Sequence, residues 1–352
     1  MDAKSLLEEI QRDFKFKKNK IEPPSMYLGA RLELKTLNGK NVWTMCSKDY
    51  VKFAVSNIEG QLQSKHMRLL KEALTPMNSD YIPELDTSSE LSLENITFFQ
   101  EIIGMLRWAI EIGRVHIHIE VSLLSSYQAA PREGHLEQLL RIVAFLKRKP
   151  KLTLYFDHKE ARLDENMFNG SDRMQFLDHY RDAKEELPER APKPRGRGVN
   201  LTCFVDASHV TNKINRKSHT GYVIFVNRAP ILWYSKRQNI VESSTFTSEF
   251  IAMKTCMERF VGVRFKLRMF GIPIIGPADV LCDNQSVVNN TSKFESTLDK
   301  KHASIAYHAV RWAVAAGIMR VGKVHKDENL ADAFTKRLSA TKHDYLFGNW
   351  TY

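Results

Sequence analysis

Beyond residue 200 the apolar and polar positions fall into short blocks of differing period. Leu201–Val210 (LTCFVDASHV) is an apolar run ending in an acid and small residues. Thr220–Gln238 carries two β-branched and aromatic runs broken at Asn227-Arg228-Ala229-Pro230. Runs bounded in this way predict a strand followed by a hairpin. Between Ser243 and Phe270 the period changes: Phe246, Phe250, Met253, Met257 and Phe260 recur every three or four residues, the spacing of one helix face. Gly271 and Pro273 stop that helix. Val280–Asn284 (VLCDN) predicts a further strand, His302–Ala316 a second helix, MRVGKVHK from Met319 a last strand and NLADAFTKRL from Asn329 a last helix. The expected order is β-β-β-α-β-α-β-α.

Upstream, SMYLGARLELKTLNGKNVWTM predicts a hairpin around Asn38-Gly39. Helices are expected at Ser47–Leu62, Asn95–Trp108 and His135–Lys147, while residues 158–190 are polar, irregular and left unassigned. Lys184–Asn200, with three prolines and two glycines, makes a poor core and predicts a linker. The expected organisation is an upstream part over 1–75, a mostly helical part over 76–183, a linker over 184–199 and a compact α/β unit over 200–352.

Composition narrows the class. At 352 residues, 43% apolar and 26% charged, the chain suits two or three globular domains. No window approaches the ~18 apolar residues of a spanning helix, and the start MDAKSLLEEIQRDFKFKKNK has no apolar signal region. The expected location is intracellular, cytoplasmic or nuclear, neither secreted nor in a membrane. Cys46, Cys203, Cys256 and Cys282 are far apart, without zinc-finger spacing, and are expected to be reduced and mostly buried. The net charge of +11 favours a polyanionic partner, since neutralised phosphates release counterions.

Candidate chemistry lies with four acids. Asp206 and Asp283 stand where strands end, Asp332 near the start of the last helix and Glu249 one turn into the long one. A lone strand-end Asp is ordinarily a turn or cap residue, and Glu249 alone could simply favour the helix dipole. Four acids converging on one sheet edge, where ligand crevices form, would repel one another without cations. Two Mg²⁺ ions, with Mn²⁺ as a substitute, would resolve that conflict and support phosphodiester hydrolysis.

FVDASH, SSTFTSEFIAM, CDNQSVV, KKHASIAYHAVR and NLADAFTKRL resemble, in the same order, the RNase H region of Ty1/copia-type retrotransposons. The resemblance implies an RNase H-like fold over nearly all of 200–338: a mixed five-stranded sheet with one antiparallel strand, flanked by helices. It places the metal-binding acids on Asp206, Glu249, Asp283 and Asp332. PSMYLGARLEL, FFQEIIGMLRWA and HLEQLLRIVAFLKRKPKLTLYF are similar to the segment after the polymerase active site, which implies an α+β palm-end, thumb and connection remnant. The YVDD-like hairpin that polymerisation needs would lie just before Met1, and no Asp-Asp pair occurs here. Polymerase activity is therefore expected only by ancestry.

The resemblance implies an Mg²⁺-dependent endonuclease acting on RNA/DNA hybrids, with the missing reverse-transcriptase part as a further partner. A non-catalytic nucleic-acid-binding remnant or domesticated fragment is the competing reading, and a fragment that folds only with the missing part is a third. Substrate contacts are expected from Ser208, Ser248, Asn284 and Gln285, and from Lys236, Arg237, Lys300 and Lys301, with Lys213, Arg216 and Lys217 on the first loop. Lys147-Arg148-Lys149 and Lys193–Arg197 could steer a polyanion or simply keep exposed segments soluble. Trp233, Tyr234, Tyr307 and Trp312 are expected in the core. His325 is a candidate for proton transfer, set against an ordinary solvent-facing loop histidine. His116, His118 and Glu120 would share one face of a strand as a zinc triad, whereas the resemblance puts them on a helix, where they would not converge.

Overall fold

The computed structural model describes residues 7–8, 10–12, 14, 23–37, 39–168, 173–295 and 304–348. Upstream, β1 (Met26–Tyr27), β2 (Ala30–Leu37), β3 (Lys40–Cys46) and β4 (Thr153–Phe156) form an antiparallel sheet in that order. The expected hairpin is β2–β3, and Gly39 turns it at φ +75°, a conformation open to a residue without Cβ. Helices α1 (Lys48–Ser64), α2 (Leu93–Glu111) and α4 (Glu133–Arg148) lie where the periodicity placed them, with α3 (His118–Leu124) between the last two. They bury Val51, Ile58, Phe99, Ile102, Leu139 and Val143 in one core. That core and the β3–β4 pairing extend across residue 75.

The segment weighed as a zinc triad, and placed on a helix by the resemblance, is a 3-10 turn (Val115–Ile117) followed by α3. Its His116 ring packs against Phe145, His343 and Phe347. A 3-10 turn at Glu165–Phe168 and α5 (Arg173–Leu177) occupy part of the unassigned stretch. The Pro- and Gly-rich stretch is held, not free. Glu185 accepts from Arg264 at 2.7 Å and Arg268 at 2.6 Å, the Arg195 amide donates to Gly271 O at 2.8 Å, and Val199 bridges Ile274. Such a segment offers itself few backbone partners, and the groups just past the long downstream helix supply them.

Downstream, β5 (Leu201–Ser208), β6 (His219–Val226), β7 (Ala229–Arg237), α6 (Thr245–Met269), β8 (Ala278–Cys282), α7 (Gln285–Ser292), α8 (Ser304–Ala315) and β9 (Met319–Lys323) build the second layer system. Its sheet runs β7-β6-β5-β8-β9, with β5, β8 and β9 parallel and β6 antiparallel to both neighbours. This is the mixed five-stranded sheet with one antiparallel strand, flanked by helices. Along β5, Leu201, Cys203, Val205 and Ala207 enter the core shared with α6 and α8, so Asp206 faces the other side. On that side Val223 and Phe225 pack with Phe334, Phe347 and the upstream Met45, Ile112 and Leu154.

The last stretch departs from expectation. NLADAFTKRL forms a 3-10 turn, Leu330–Phe334, and a helix begins only at α9 (Ala340–Gly348). Asn329 caps the turn by accepting from the Ala331 amide at 3.1 Å. The chain then leaves toward the upstream half, where the Arg337 guanidinium donates to the carbonyls of Asn78 and Tyr81. The four cysteines are free thiols, three buried and Cys46 half-buried. No helix among the described residues is long and apolar enough to cross a membrane.

Candidate active site

Three acids meet at one end of the downstream sheet. Asp206 lies near the end of β5, opposite Gly221 of β6, and Asp283 directly follows β8. Glu249 sits one turn into α6, whose N-cap Ser244 accepts from the Thr247 amide at 3.3 Å. One carboxylate oxygen from each acid lies within 4.8 Å of the others. Asp206 and Glu249 are buried and Asp283 half-buried.

The cluster is electrostatically tense. Burial pushes the Glu249 carboxyl up to about 8; a hydrogen bond from Asn284 opposes the shift, and the Asp206 and Asp283 charges add to it. Asn284 Nδ2 donates to Glu249 Oε1 at 3.0 Å, while Oε2 is buried without a partner. Burial also raises Asp206, against the pull of Lys336 and a hydrogen bond from the Thr335 hydroxyl. An orphaned carboxylate oxygen beside two more carboxylates is a donor set suited to a hard divalent cation.

Asp332 joins this group differently. Its two oxygens accept from Lys336 Nζ at 2.6 Å and Lys342 Nζ at 2.7 Å, and Lys336 Nζ stands 3.3 Å from Asp206 Oδ2. The structure thus brings three of the four expected acids into mutual reach and ties the fourth to them through a lysine. Thr335, Lys336 and Lys342 were not among the expected site residues. The available signal was the four-residue interval from Asp332 to Lys336, at which helical side chains meet.

The other candidates divide. Ser248 is fully buried, and its hydroxyl is engaged by His209 Nδ1 and Ser218 Oγ, both at 2.9 Å. Asn284 caps α7, accepting from the Ser286 and Val287 amides. Ser208 is half-buried and bonds to Thr211 on its own loop. Gln285 is exposed and donates to Asn289 Oδ1 at 3.1 Å. Lys236 is exposed and Arg237 half-exposed at the end of β7. β7 ends beside the start of β6, so both stand at the sheet end that carries Asp206. Lys213 and Arg216 are exposed on the β5–β6 loop, with Lys217 half-exposed. Lys300 and Lys301 lie outside the described residues.

His325 is exposed, and its Nδ1 accepts from the Asp327 amide of its own loop at 3.3 Å. Asn329, by contrast, is buried and reaches the site, its Nδ2 donating to Val205 O at 3.2 Å and Asp283 Oδ1 at 3.5 Å. Among the described residues His116, His118 and Glu120 form no metal-capable group. Tyr307 is buried, and Trp233, Tyr234 and Trp312 pack half-buried against cores.

No family model matches the chain. The retrovirus-related Pol polyprotein from transposon RE1 of Arabidopsis thaliana is 26% identical over 282 residues, which is 80% of this chain and 16% of the relative. That from transposon RE2 of the same plant is 25% identical over 79% of the chain and 16% of the relative. That from transposon TNT 1-94 of Nicotiana tabacum is 30% identical over 41% and 11%. The chain therefore spans about a sixth of the length of the first two. Among solved structures, an RNase H domain from Mycobacterium tuberculosis aligns at TM-score 0.31 and 15% identity over 42% of this chain and 96% of that one. RNase H1 from Halobacterium salinarum aligns at TM-score 0.31 and 13% identity over 39% and 94%. An alignment of 282 residues must include both sides of the linker, so along both halves the homologues of this chain are copia-type retrotransposon Pol polyproteins.

Proposed function

We propose that this chain is a divalent-cation-dependent RNase H that hydrolyses the RNA strand of RNA/DNA hybrids. The observation that carries the reading is the convergence of Asp206, Glu249 and Asp283, with one Glu249 oxygen buried and unpartnered. Copia-type homology supports it. These three acids would hold the cation, Mg²⁺ or Mn²⁺, which when bound activates water and offsets charge on the phosphodiester. Asn284 holds Glu249 through Oε1 and leaves Oε2 unpartnered, Thr335 orients Asp206, and Asn329 braces Asp283. Lys336 and Lys342 neutralise buried Asp332, which lowers its repulsion of Asp206. A second ion, as expected from the sequence, would draw on Asp332 once Lys336 yields it. Lys236, Arg237 and the β5–β6 loop cations would grip phosphates at this sheet end. Residues 200–352 would form the nuclease unit, and the upstream residues would serve as its scaffold without polymerase chemistry.

A labelled hybrid incubated with the full chain and Mg²⁺ tests the proposal. The wild type is expected to cut the RNA strand, and Asp283→Asn to bind the hybrid without cutting it. An uncut hybrid with the wild type would leave the non-catalytic reading, and full cleavage by Asp283→Asn would remove Asp283 from the site.

A further inference from the structure

At the opposite end of the downstream sheet a cleft of about 1050 Å³ is lined by Lys40, Lys159, Arg162, Arg197 and Arg228, with Glu160 as its one acid. The five cations come from four separate segments: the start of β3, the stretch after β4, the linker and the β6–β7 turn. Gly221 faces Asp206, and Arg228 follows seven residues later, so at ~3.3 Å per strand residue the cleft lies roughly 20 Å from the carboxylates.

The segments are fastened together. Asn227 Nδ2 donates to His158 O at 3.0 Å, and its Oδ1 accepts from the Asn200 amide at 3.0 Å. The Arg228 amide donates to Asp157 O at 3.3 Å. One buried asparagine thus joins the turn to the post-β4 stretch and the linker end, so three of the four backbone segments that carry the cations are tied together around the cleft. Arg228 is paired with Asp157 at 3.4 Å. Among the described residues Lys40, Lys159, Arg162 and Arg197 make no ion pair.

We infer that this cleft binds the phosphate backbone of a single nucleic-acid strand, at a site separate from the acidic cluster. Uncompensated cations around an open groove attract a polyanion and gain from counterion release. No Phe, Tyr or Trp lines the cleft and its one aromatic ring is the His158 imidazole, so phosphate contact should outweigh base stacking and binding should depend little on sequence. Its apolar side chains are Ala161 and Val199, and it has no large apolar group of the kind by which a surface inserts into lipid. The inference does not depend on the nuclease reading.

The test is anisotropy of a fluorescein-labelled single-stranded DNA oligonucleotide with the full chain, titrated across salt. Arg162→Gln with Arg197→Gln removes two exposed, unpaired cations and should leave the fold intact. Affinity is expected to fall on the order of tenfold at ~0.1 M salt, and the slope of log K against log salt to shrink by about 1.4, from ~0.7 per phosphate contact. Unchanged affinity and slope would overturn the inference. So would stronger capture of phosphatidylserine vesicles than of DNA, lost in the same variant, which would make the cleft a lipid site.

Discussion

At the scale of single residues, Glu249 sets a pH dependence whose sign is fixed. Its folded carboxyl is raised to about 8, chiefly by burial, whereas the unfolded chain titrates near ~4.3. The folded protein therefore keeps a proton that the unfolded chain gives up, and stability conferred below about pH 4 is lost as pH rises toward 8. A cation needs the deprotonated form, so its binding should release a proton and strengthen over the same interval. In EDTA the melting temperature is expected to fall from pH 5 to pH 8, and added Mg²⁺ should restore it. Glu249→Gln should flatten the fall and lose the Mg²⁺ response; an unchanged pH profile in that variant would exclude the mechanism. Buried Glu120, also raised to about 8 by burial, should leave a residual slope. Asp206 was legible because strand alternation and a terminal acid are sequence properties. The burial of Ser248 was not, because a serine beside an acid reads alike whether it faces a ligand or a loop.

At the scale of elements, Gly221 decides how closely the Asp332-bearing turn approaches the sheet. A Cβ built there would lie 2.6 Å from Thr335 Cγ2, 2.7 Å from Phe334 Cβ and 2.9 Å from the Phe334 carbonyl carbon. Gly221→Ala must push the turn away, at a cost of about 1–3 kcal/mol for overpacking. It should also loosen the Thr335 and Lys336 contacts to Asp206. Gly60 in α1 and Gly262 in α6 meet nothing within 4 Å, so alanine there should stabilise by up to ~1 kcal/mol through helix propensity. Chemical denaturation of the three variants checks both signs, and a Gly221→Ala as stable as the wild type would contradict the close approach. Periodicity read the long elements well: Ser243–Phe270 was expected and Thr245–Met269 is helical. It misread NLADAFTKRL, where apolar spacing alone does not reveal that Arg337 is drawn to carbonyls 256 and 259 positions earlier in the chain.

At the scale of the molecule, the two halves share a core that no local pattern announces. Met45, Ile112 and Leu154 from upstream meet Val223, Phe225, Phe334 and Phe347 from downstream. Further links are the Lys149–Asp344 ion pair at 2.7 Å and the bond from His343 Nε2 to His116 O at 2.9 Å. In sequence the core residues belong to ordinary apolar blocks, and only tertiary packing shows that the second face of the downstream sheet is covered by the upstream half. Phe334 sits at the centre of this contact, fully buried and one residue beyond Ala333 of the Asp332 turn. Phe334→Ala should cost about 3–5 kcal/mol, as a buried phenyl is lost and a cavity left. If the shared core makes one cooperative unit, amide-exchange protection should drop together in β3–β4 and in β5–β6, and thermal unfolding should stay a single transition at lower temperature. Protection lost in β5–β6 alone would mean that the halves are stable separately. The upstream half would then be a passenger, and the geometry around Asp332 would depend on the downstream sheet by itself.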